Sequence, residues 1–194
     1  MNMPFDALNE VSDEALLVAY GNGDREAARA LTLRLTPRLL GYATRLLGDR
    51  AEAEDVAQEA MLRLWRIAGE WRQNEAKITT WLYRVVSNLC TDRLRRRRTI
   101  GLDKIEEPTS DAPSVQENML TAQRHAALSQ ALLGLPERQR QAVVLRHIEG
   151  VSNPDIAAVM DISVEAVESL TARAKRALAQ ALAGRRQELG YQDD

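Results

Sequence analysis

The stretch TWLYRVVSNLCTDRLRRRR, Thr80 to Arg98, ends in four consecutive arginines and carries a tryptophan near its start. On an ideal helix, at about 100° per residue, the segment from Lys77 to Arg98 sorts its side chains onto two arcs. Ile78, Leu82, Val85, Val86 and Leu89 share the arc that must face a core. The opposite arc collects Lys77, Thr80, Trp81, Arg84, Asn88, Thr91, Arg95 and Arg98. Cations in a row can follow backbone phosphates, and an aromatic face beside them can stack an unpaired base, worth about 1–3 kcal/mol by substitution. Such chemistry is recognition of a nucleic acid. A helix dipole favours cations at a C-terminus, which accounts for Arg95 to Arg98 alone. It gives no reason for Lys77 and Arg84 on the same face near the other end. The whole chain has a net charge of -2 and a pI of about 5.8, so the positive charge is local. Local concentration is the feature that matters for a nucleic-acid binder.

A second segment, AEAEDVAQEAMLRLW from Ala51 to Trp65, has the opposite character. Val56, Ala60, Leu64 and Ile67 form its buried stripe. Asp55, Gln58, Glu59 and Leu62 lie together on another face, at the i, i+3, i+4, i+7 spacing. Acidic residues early in a helix also complement its dipole, so this face alone admits both a docking and a purely structural reading.

The segment GVSNPDIAAVMDISVEAVESLTARAKRAL, Gly150 to Leu178, has the grammar of a helix-turn-helix. Ser152 with Asp155 makes a capping box that opens a short helix through Met160, with Pro154 in the first turn. Asp161-Ile162-Ser163 is a tight turn, and Ser163 can cap the next helix. Val167, Leu170 or Thr171, Ala174 and Leu178 are the expected buried stripe. Glu165, Glu168, Ser169, Ala172 and Arg176 face outward, with Arg173 and Lys175 at the flanks. In this motif the second helix enters the major groove, and its first residues reach base edges. A helical hairpin used only for packing is the plainer alternative.

The elements that must hold these faces are helices. The 194 residues suffice for one ordinary domain or two small ones. Hydrophobic residues make up 45%, charged residues 28% and aromatics 4%, a globular and helix-favouring mixture. Asp24 to Leu47 repeats Ala28, Leu31, Leu35, Leu39, Tyr42 and Leu46 at helical spacing, with Pro37 expected to kink or split it. Gly48-Asp49 is a turn before the helix Ala51–Ala68, and Gly69 to Lys77 reads as a polar loop. Asp103 to Glu117, with five acidic residues, one lysine, Pro108 and Pro113, reads as an extended acidic linker. Helical periodicity resumes near Met119 and runs to Leu182, broken at Leu135-Pro136 and Gly150. The expected fold class is all-α: two small helical domains, 1–98 and 119–188, joined by a flexible acidic linker over 99–118, with a tail at 189–194. No strand signal and no repeat is seen.

Several function classes are excluded or disfavoured. There is no Gly-rich phosphate loop, no metal cluster and no nucleophile–base pair, so no catalytic residue, metal or cofactor is expected. The single cysteine, Cys90, allows neither an internal disulfide nor a cysteine-based zinc site, and it falls between the two arcs of its helix. No signal peptide and no apolar run near the ~20 residues of a membrane span is seen, so a cytoplasmic protein without membrane insertion is expected.

Taken together, AEDVAQEAMLRLW, TTWLYRVVSNLCTDRLRRRR and LPERQRQAVVLRHIEGVSNPDIAAVMDISVEAVESLTARAKRAL resemble, in order and spacing, the extracytoplasmic-function group of bacterial RNA polymerase sigma factors. The resemblance covers nearly the whole chain. Asp49 to Leu94 is also similar to the subgroup held by a zinc-binding anti-sigma factor and linked to singlet-oxygen stress. The resemblance implies a protein that binds core RNA polymerase and directs promoter recognition and strand opening. It implies polymerase contact by Asp55, Gln58, Glu59, Met61, Leu62 and Trp65. Capture of the melted −10 strand falls to Lys77, Thr80, Trp81, Arg84, Asn88, Arg95 and Arg98, with Gln73 and Asn74 of the polar loop receiving a flipped base. Reading of the −35 element falls to Glu165, Glu168, Ser169, Arg173 and Arg176. The partners implied are core RNA polymerase, promoter DNA and an anti-sigma factor. The alternatives are a sigma mimic that sequesters an anti-sigma protein and a regulator that binds duplex DNA without polymerase.

One departure stands out. Where the family usually carries Thr-Val-Lys-Ser-Arg, this chain has Ala166-Val167-Glu168-Ser169-Leu170. A carboxylate at Glu168 can accept from a cytosine amino group, and it can equally repel phosphate. Glu168→Lys is therefore expected to change −35 preference, measured as selection from a promoter library with a randomised −35 element. An unchanged selected sequence would refute it.

Overall fold

Polar caps placed before apolar periodic runs decide where the helices begin. A computed structural model describes residues 11–71, 77–101 and 116–183. Ser12 accepts from the amide of Ala15 and opens α1 (Asp13–Gly21). Asp24 accepts from Glu26 and Ala27 and opens α2 (Arg25–Leu47). Asp49 accepts from Glu52 and opens α3 (Arg50–Ile67), which is followed by α4 (Ile78–Ile100). Each such cap satisfies an amide that would otherwise lack a partner, worth about 1 kcal/mol. The second half comprises α5 (Gln116–Leu133), α6 (Glu137–His147), α7 (Asn153–Met160) and α8 (Val164–Ala183). The fold is all-α, with no strand among the described residues.

The N-terminal domain, α1–α4, closes over Leu16, Leu17, Leu31, Leu35, Val56, Leu64, Ile78 and Leu82, all at most 1% exposed. Burial of each such side chain contributes about 1.5–3 kcal/mol relative to exposure. At the centre Tyr42 of α2 is fully buried, its hydroxyl 2.8 Å from that of Ser87 on α4. Its ring meets Tyr83 edge-on at 5.1 Å. Burial pushes the Tyr42 phenol far above its ordinary pKa, with the Ser87 contact opposing only part of the rise, so the hydroxyl stays protonated.

In the C-terminal domain α6 and α7 pack on α8. The turn between α7 and α8 puts Asp161 in the left-handed region at φ 54°, where its amide donates to Ala157. The two domains also touch each other. α2 packs on α5 and α6, α4 packs on α7, and one continuous apolar cluster includes Leu82 and Val86 together with Leu132, Leu135 and Val144. The α2–α3 turn needs Gly48 twice over. Its φ is 70°, and a Cβ there would lie 2.8 Å from a Leu133 methyl of α5.

The expected split at Pro37 does not occur, and one helix was not foreseen. Pro37 lies within an unbroken α2. Its ring is exposed, and the carbonyl it leaves without an amide donor belongs to Leu33, itself 57% exposed, so water can supply the missing bond. Helix α1 was also missed, although Ser12 before Asp13-Glu14 and the Leu16-Leu17 pair is a start signal. The polar loop over 72–76 and the linker residues 102–115 lie outside the described residues.

The four arginines do different work. Arg97 turns inward, donating to the Leu47 carbonyl at 3.1 Å, to Glu52 at 3.1 Å and to Asp49 at 3.3 Å. It thereby ties the end of α4 to the turn that starts α3. Charge-assisted bonds of this partly buried kind are worth more than exposed pairs. Arg97→Ala is expected to lower thermal stability by about 1–3 kcal/mol, several degrees in melting temperature, whereas exposed Arg96→Ala should change it by less than about 0.5 kcal/mol. Equal shifts in a melting series would refute the assignment.

Candidate nucleic-acid and partner interfaces

The outer face of α3 follows from its inner one. Ala53, Val56, Ala57, Ala60 and Leu64 turn into the core, which leaves Asp55, Gln58 and Leu62 exposed and Glu59 half-exposed. Met61 is only 6% exposed, and Trp65 is held half-buried by an edge contact with Tyr20 of α1 at 4.8 Å. Met61, Leu62 and Trp65 join Thr32, Thr36 and Leu40 of α2 around an open trough of about 310 Å³. The α2 wall of this trough was not found from sequence, although Leu33 and Leu62, 57% and 43% exposed, are apolar side chains left in solvent. Glu59 accepts from Arg63 at 2.9 Å, and that guanidinium holds its carboxyl below the usual range. Arg93 of α4 approaches both Glu52 and Asp55, at 4.0 and 3.8 Å. An acidic rim therefore adjoins an apolar trough.

Along α4 the amphipathic division holds. Ile78, Leu82, Val85 and Val86 are buried, Leu89 is half-buried, and Cys90 packs inside at 1% exposed. Burial pushes the Cys90 thiol up to about 12. Arg84, Asn88, Arg95 and Arg98 are exposed as expected, and Lys77 stands just before the helix. Thr80 is half-buried. Trp81 is not a free platform, since it packs on the core and meets Trp71 edge-on at 6.3 Å. Trp71 was missed as its partner, although a second tryptophan ten residues upstream was the available signal. Gln73 and Asn74 lie outside the described residues.

The α4 cations have neighbours that the sequence did not disclose. Lys77 Nζ lies 3.0 Å from Asp155 of α7. Arg98 donates to Glu137 of α6 at 2.7 Å, and Thr91 donates to the same carboxylate at 2.6 Å. Between them Glu149 accepts from Tyr83 at 2.8 Å and from Arg45 at 3.3 Å. Arg95 pairs locally with Asp92 at 3.0 Å.

The helix-turn-helix has the expected geometry. Ser152 caps α7 through the Asp155 amide, and Ser163 caps α8 through the Ala166 amide. Val167, Thr171 and Ala174 turn inward, with Leu170 and Leu178 half-buried. Glu165, Glu168, Arg173 and Arg176 are exposed and Ser169 is half-exposed. Ser169 and Arg173 are joined at 2.7 Å, and the Asn153 amide reaches Glu168 at 3.5 Å. Backbone and Ser163 donors at the start of α8 depress the Glu165 pKa, so that residue stays a carboxylate. Among the described residues no group of His, Cys, Asp and Glu could hold a metal ion, and no helix is long and apolar enough to cross a membrane.

An all-helical pair of domains, one with a cationic helix and one with a helix-turn-helix, is the form of a transcription protein. The sequence profile of sigma-70 region 2 matches residues 31–100, and that of sigma-70 region 4 matches residues 125–178. The chain is 35% identical over 186 residues to the RNA polymerase sigma-H factor of Pseudomonas aeruginosa, covering 90% of this chain and 96% of that one. It is 37% identical over 181 residues to the extracytoplasmic-function sigma factor SigM of Mycobacterium tuberculosis, covering 92% and 88%. A solved structure of CnrH with the cytosolic domain of CnrY aligns at a TM-score of 0.63, with 25% identity over 89% of this chain and 97% of that one. The fold is shared as well by the sigma factor RpoE of Bartonella quintana, solved with the anti-sigma factor NepR, at a TM-score of 0.66 and 23% identity, covering 80% and 96%. The chain belongs to the extracytoplasmic-function group of RNA polymerase sigma factors.

Asp155 supplies a pH prediction. The Ser152 hydroxyl first, and then the Lys77 ammonium, hold its carboxyl below the ordinary aspartate range. A depressed folded pKa stabilises the fold at pH above the unfolded value and loses that contribution as pH falls through the folded one. Asp155→Asn is therefore expected to be less stable than wild type at pH 7, with the gap closing below about pH 3.8. Melting temperatures from pH 7 to pH 3 check it, and a gap independent of pH would refute it.

Proposed function

We propose that the chain uses the acidic rim and apolar trough of its N-terminal domain to dock on core RNA polymerase. Asp55, Gln58, Glu59 and Leu62 form the exposed contact, and Met61 and Trp65 shape the trough behind it. Lys77, Thr80, Trp81, Arg84, Asn88, Arg95 and Arg98 then take the melted −10 strand, with Gln73 and Asn74 receiving a flipped base. Glu165, Glu168, Ser169, Arg173 and Arg176 of α8 read the −35 element in the major groove. The proposed division is 1–98 for docking and melting, 119–188 for −35 reading, with 99–118 as the linker. The protein acts in the cytoplasm, where polymerase and promoter are found. It catalyses no reaction of its own.

The observation that carries this reading is the segregation of charge across one domain. An acidic and apolar face lies on α3, and a cationic one on α4, each set by the buried stripe behind it. Segregation lets a near-neutral protein meet a positively charged docking site and a polyanion at separate places. The fold shared with a sigma factor solved with its anti-sigma factor motivates a partner of that class here, one that covers the same faces. The finer proposal is that this partner binds zinc.

The test is transcription by purified core polymerase on fragments of the protein's own genome. The chain should produce new transcripts that start downstream of one shared pair of elements. Asp55→Arg should reduce these at least about tenfold by weakening polymerase binding, a loss of roughly 1.4 kcal/mol or more. Arg84→Ala should leave polymerase binding intact and reduce promoter opening. Full activity of Asp55→Arg would overturn the docking assignment.

A further inference from the structure

The outer row of α8 changes sign along its length. Glu165, Glu168, Ala172 and Arg176 follow one another on it, and Arg173 flanks its second half, all of them exposed. Glu165 has a local reason to be acidic. It lies in the first turn, where the helix dipole favours a carboxylate, and its own backbone amide and the Ser163 side chain donate to it. Glu168 has no such reason. It sits in the second turn, where the dipole has faded, and among the described residues no cation pairs with it. The cation within reach of that turn, Arg173, is held on Ser169 at 2.7 Å instead.

The contact that Glu168 does make comes from the other helix of the motif. Asn153 is the first residue of α7, half-buried and next in the chain to the Ser152 cap. Its Nδ2 reaches Oε1 of Glu168 at 3.5 Å, the long limit of a hydrogen bond. One oxygen is thereby occupied, and Oε2 has no hydrogen-bond donor among the described residues. Ala172, one turn further on, carries only a methyl group, so the carboxylate is left uncovered on that side.

An exposed carboxylate on a face that meets a polyanion is repelled unless the DNA offers it a donor. A carboxylate only accepts hydrogen bonds. In the major groove guanine shows N7 and O6 and thymine shows O4, all of them acceptors. Adenine has an amino donor, but its N7 acceptor stands beside it. The N4 amino group of cytosine has no acceptor next to it on its own base in the groove, so it suits a carboxylate best.

We propose that Asn153 and Glu168 together read one cytosine of the −35 element. Glu168 accepts from the N4 amino group, and Asn153 is a positioning residue that holds the carboxylate toward the groove. The inference rests on the assignment of α8 to the −35 element. It adds the base that is read and a residue outside α8 on which the reading depends.

The experiment uses holoenzyme assembled from core polymerase and the full chain, with a promoter fragment that it transcribes. The −35 element of that fragment is randomised, and the bound DNA is sequenced to give the preference at each position. Wild type should select cytosine at a position where Glu168→Gln lowers the preference by about tenfold. Asn153→Ala should lower it at the same position by about threefold and leave the other positions unchanged. Because Asn153 acts through Glu168, the double variant should be no worse than Glu168→Gln alone. Selection of any other base at the Glu168-sensitive position would overturn the proposal. So would an Asn153→Ala variant that binds all sequences more weakly by the same factor, the mark of a phosphate contact. A lowered melting temperature for Asn153→Ala with base preference intact would make it a structural residue only, and would equally overturn the proposal. Arg173→Ala separates the two levels. If all three single variants select the wild-type sequence at every −35 position, the assignment of α8 fails. If only Arg173→Ala alters the selection, the cytosine reader alone fails.

Discussion

A single buried hydroxyl pair, Tyr42 with Ser87 at 2.8 Å, locks α2 to α4 in the middle of the N-terminal domain. A hydroxyl buried away from solvent must find a partner or lose about 1–3 kcal/mol. Tyr42 has little freedom to look elsewhere, since Tyr83 closes against its ring. Together with the buried apolar stripe of α4, the pair fixes the rotation of that helix about its own axis. Once Ser87 points inward, Val86, Leu82 and Cys90 go with it, and Arg84, Asn88, Thr91 and Arg95 must point out. The apolar stripe of α4 and the Tyr42–Ser87 pair together decide which way the cations of that helix point.

The same rotation sorts the arginine run. Arg97 falls toward α3 and is consumed by Leu47, Asp49 and Glu52 in holding the end of the helix. Arg98, one residue on, has turned by about 100° and meets Glu137 instead. Counting arginines in a sequence overstates the charge available to a ligand, because helical phase spends some of them on the fold. Arg93 behaves similarly, leaning on Glu52 and Asp55 and binding the acidic helix to the basic one. Charge segregation in this domain is stabilised from within at the seam where the two signs meet.

Much of this was legible beforehand. The arcs of α4 and the cap, turn and stripe of the helix-turn-helix are local properties with a period, and the sequence shows a period directly. The exposed positions on α3 followed the same rule. What was hidden depends on contacts between residues distant along the chain. No local pattern indicates that Glu137, Glu149 and Asp155 sit opposite Thr91, Tyr83 and Lys77, or that Thr36 and Leu40 of α2 complete a trough with Met61. Trp81 read as exposed because its helical phase is marginal, and Trp71 across the intervening loop decided the matter. Pro37 read as a kink or a split because its missing amide is visible in sequence; the helix is not split, and the exposure of Leu33 and Pro37 that allows this is not visible in sequence.

Cys90 lies on the inner side of α4, 1% exposed, with its thiol raised to about 12 by burial. Only a thiolate reacts readily with an alkylating reagent, so in the folded chain this sulfur is both sealed and chemically silent. It becomes reactive when α4 lifts from the core and the thiol returns toward its ordinary acidity. As the chain has no other cysteine, the rate of its labelling measures a single event. The protein thus carries its own clock for the opening of the helix on which its charge is displayed.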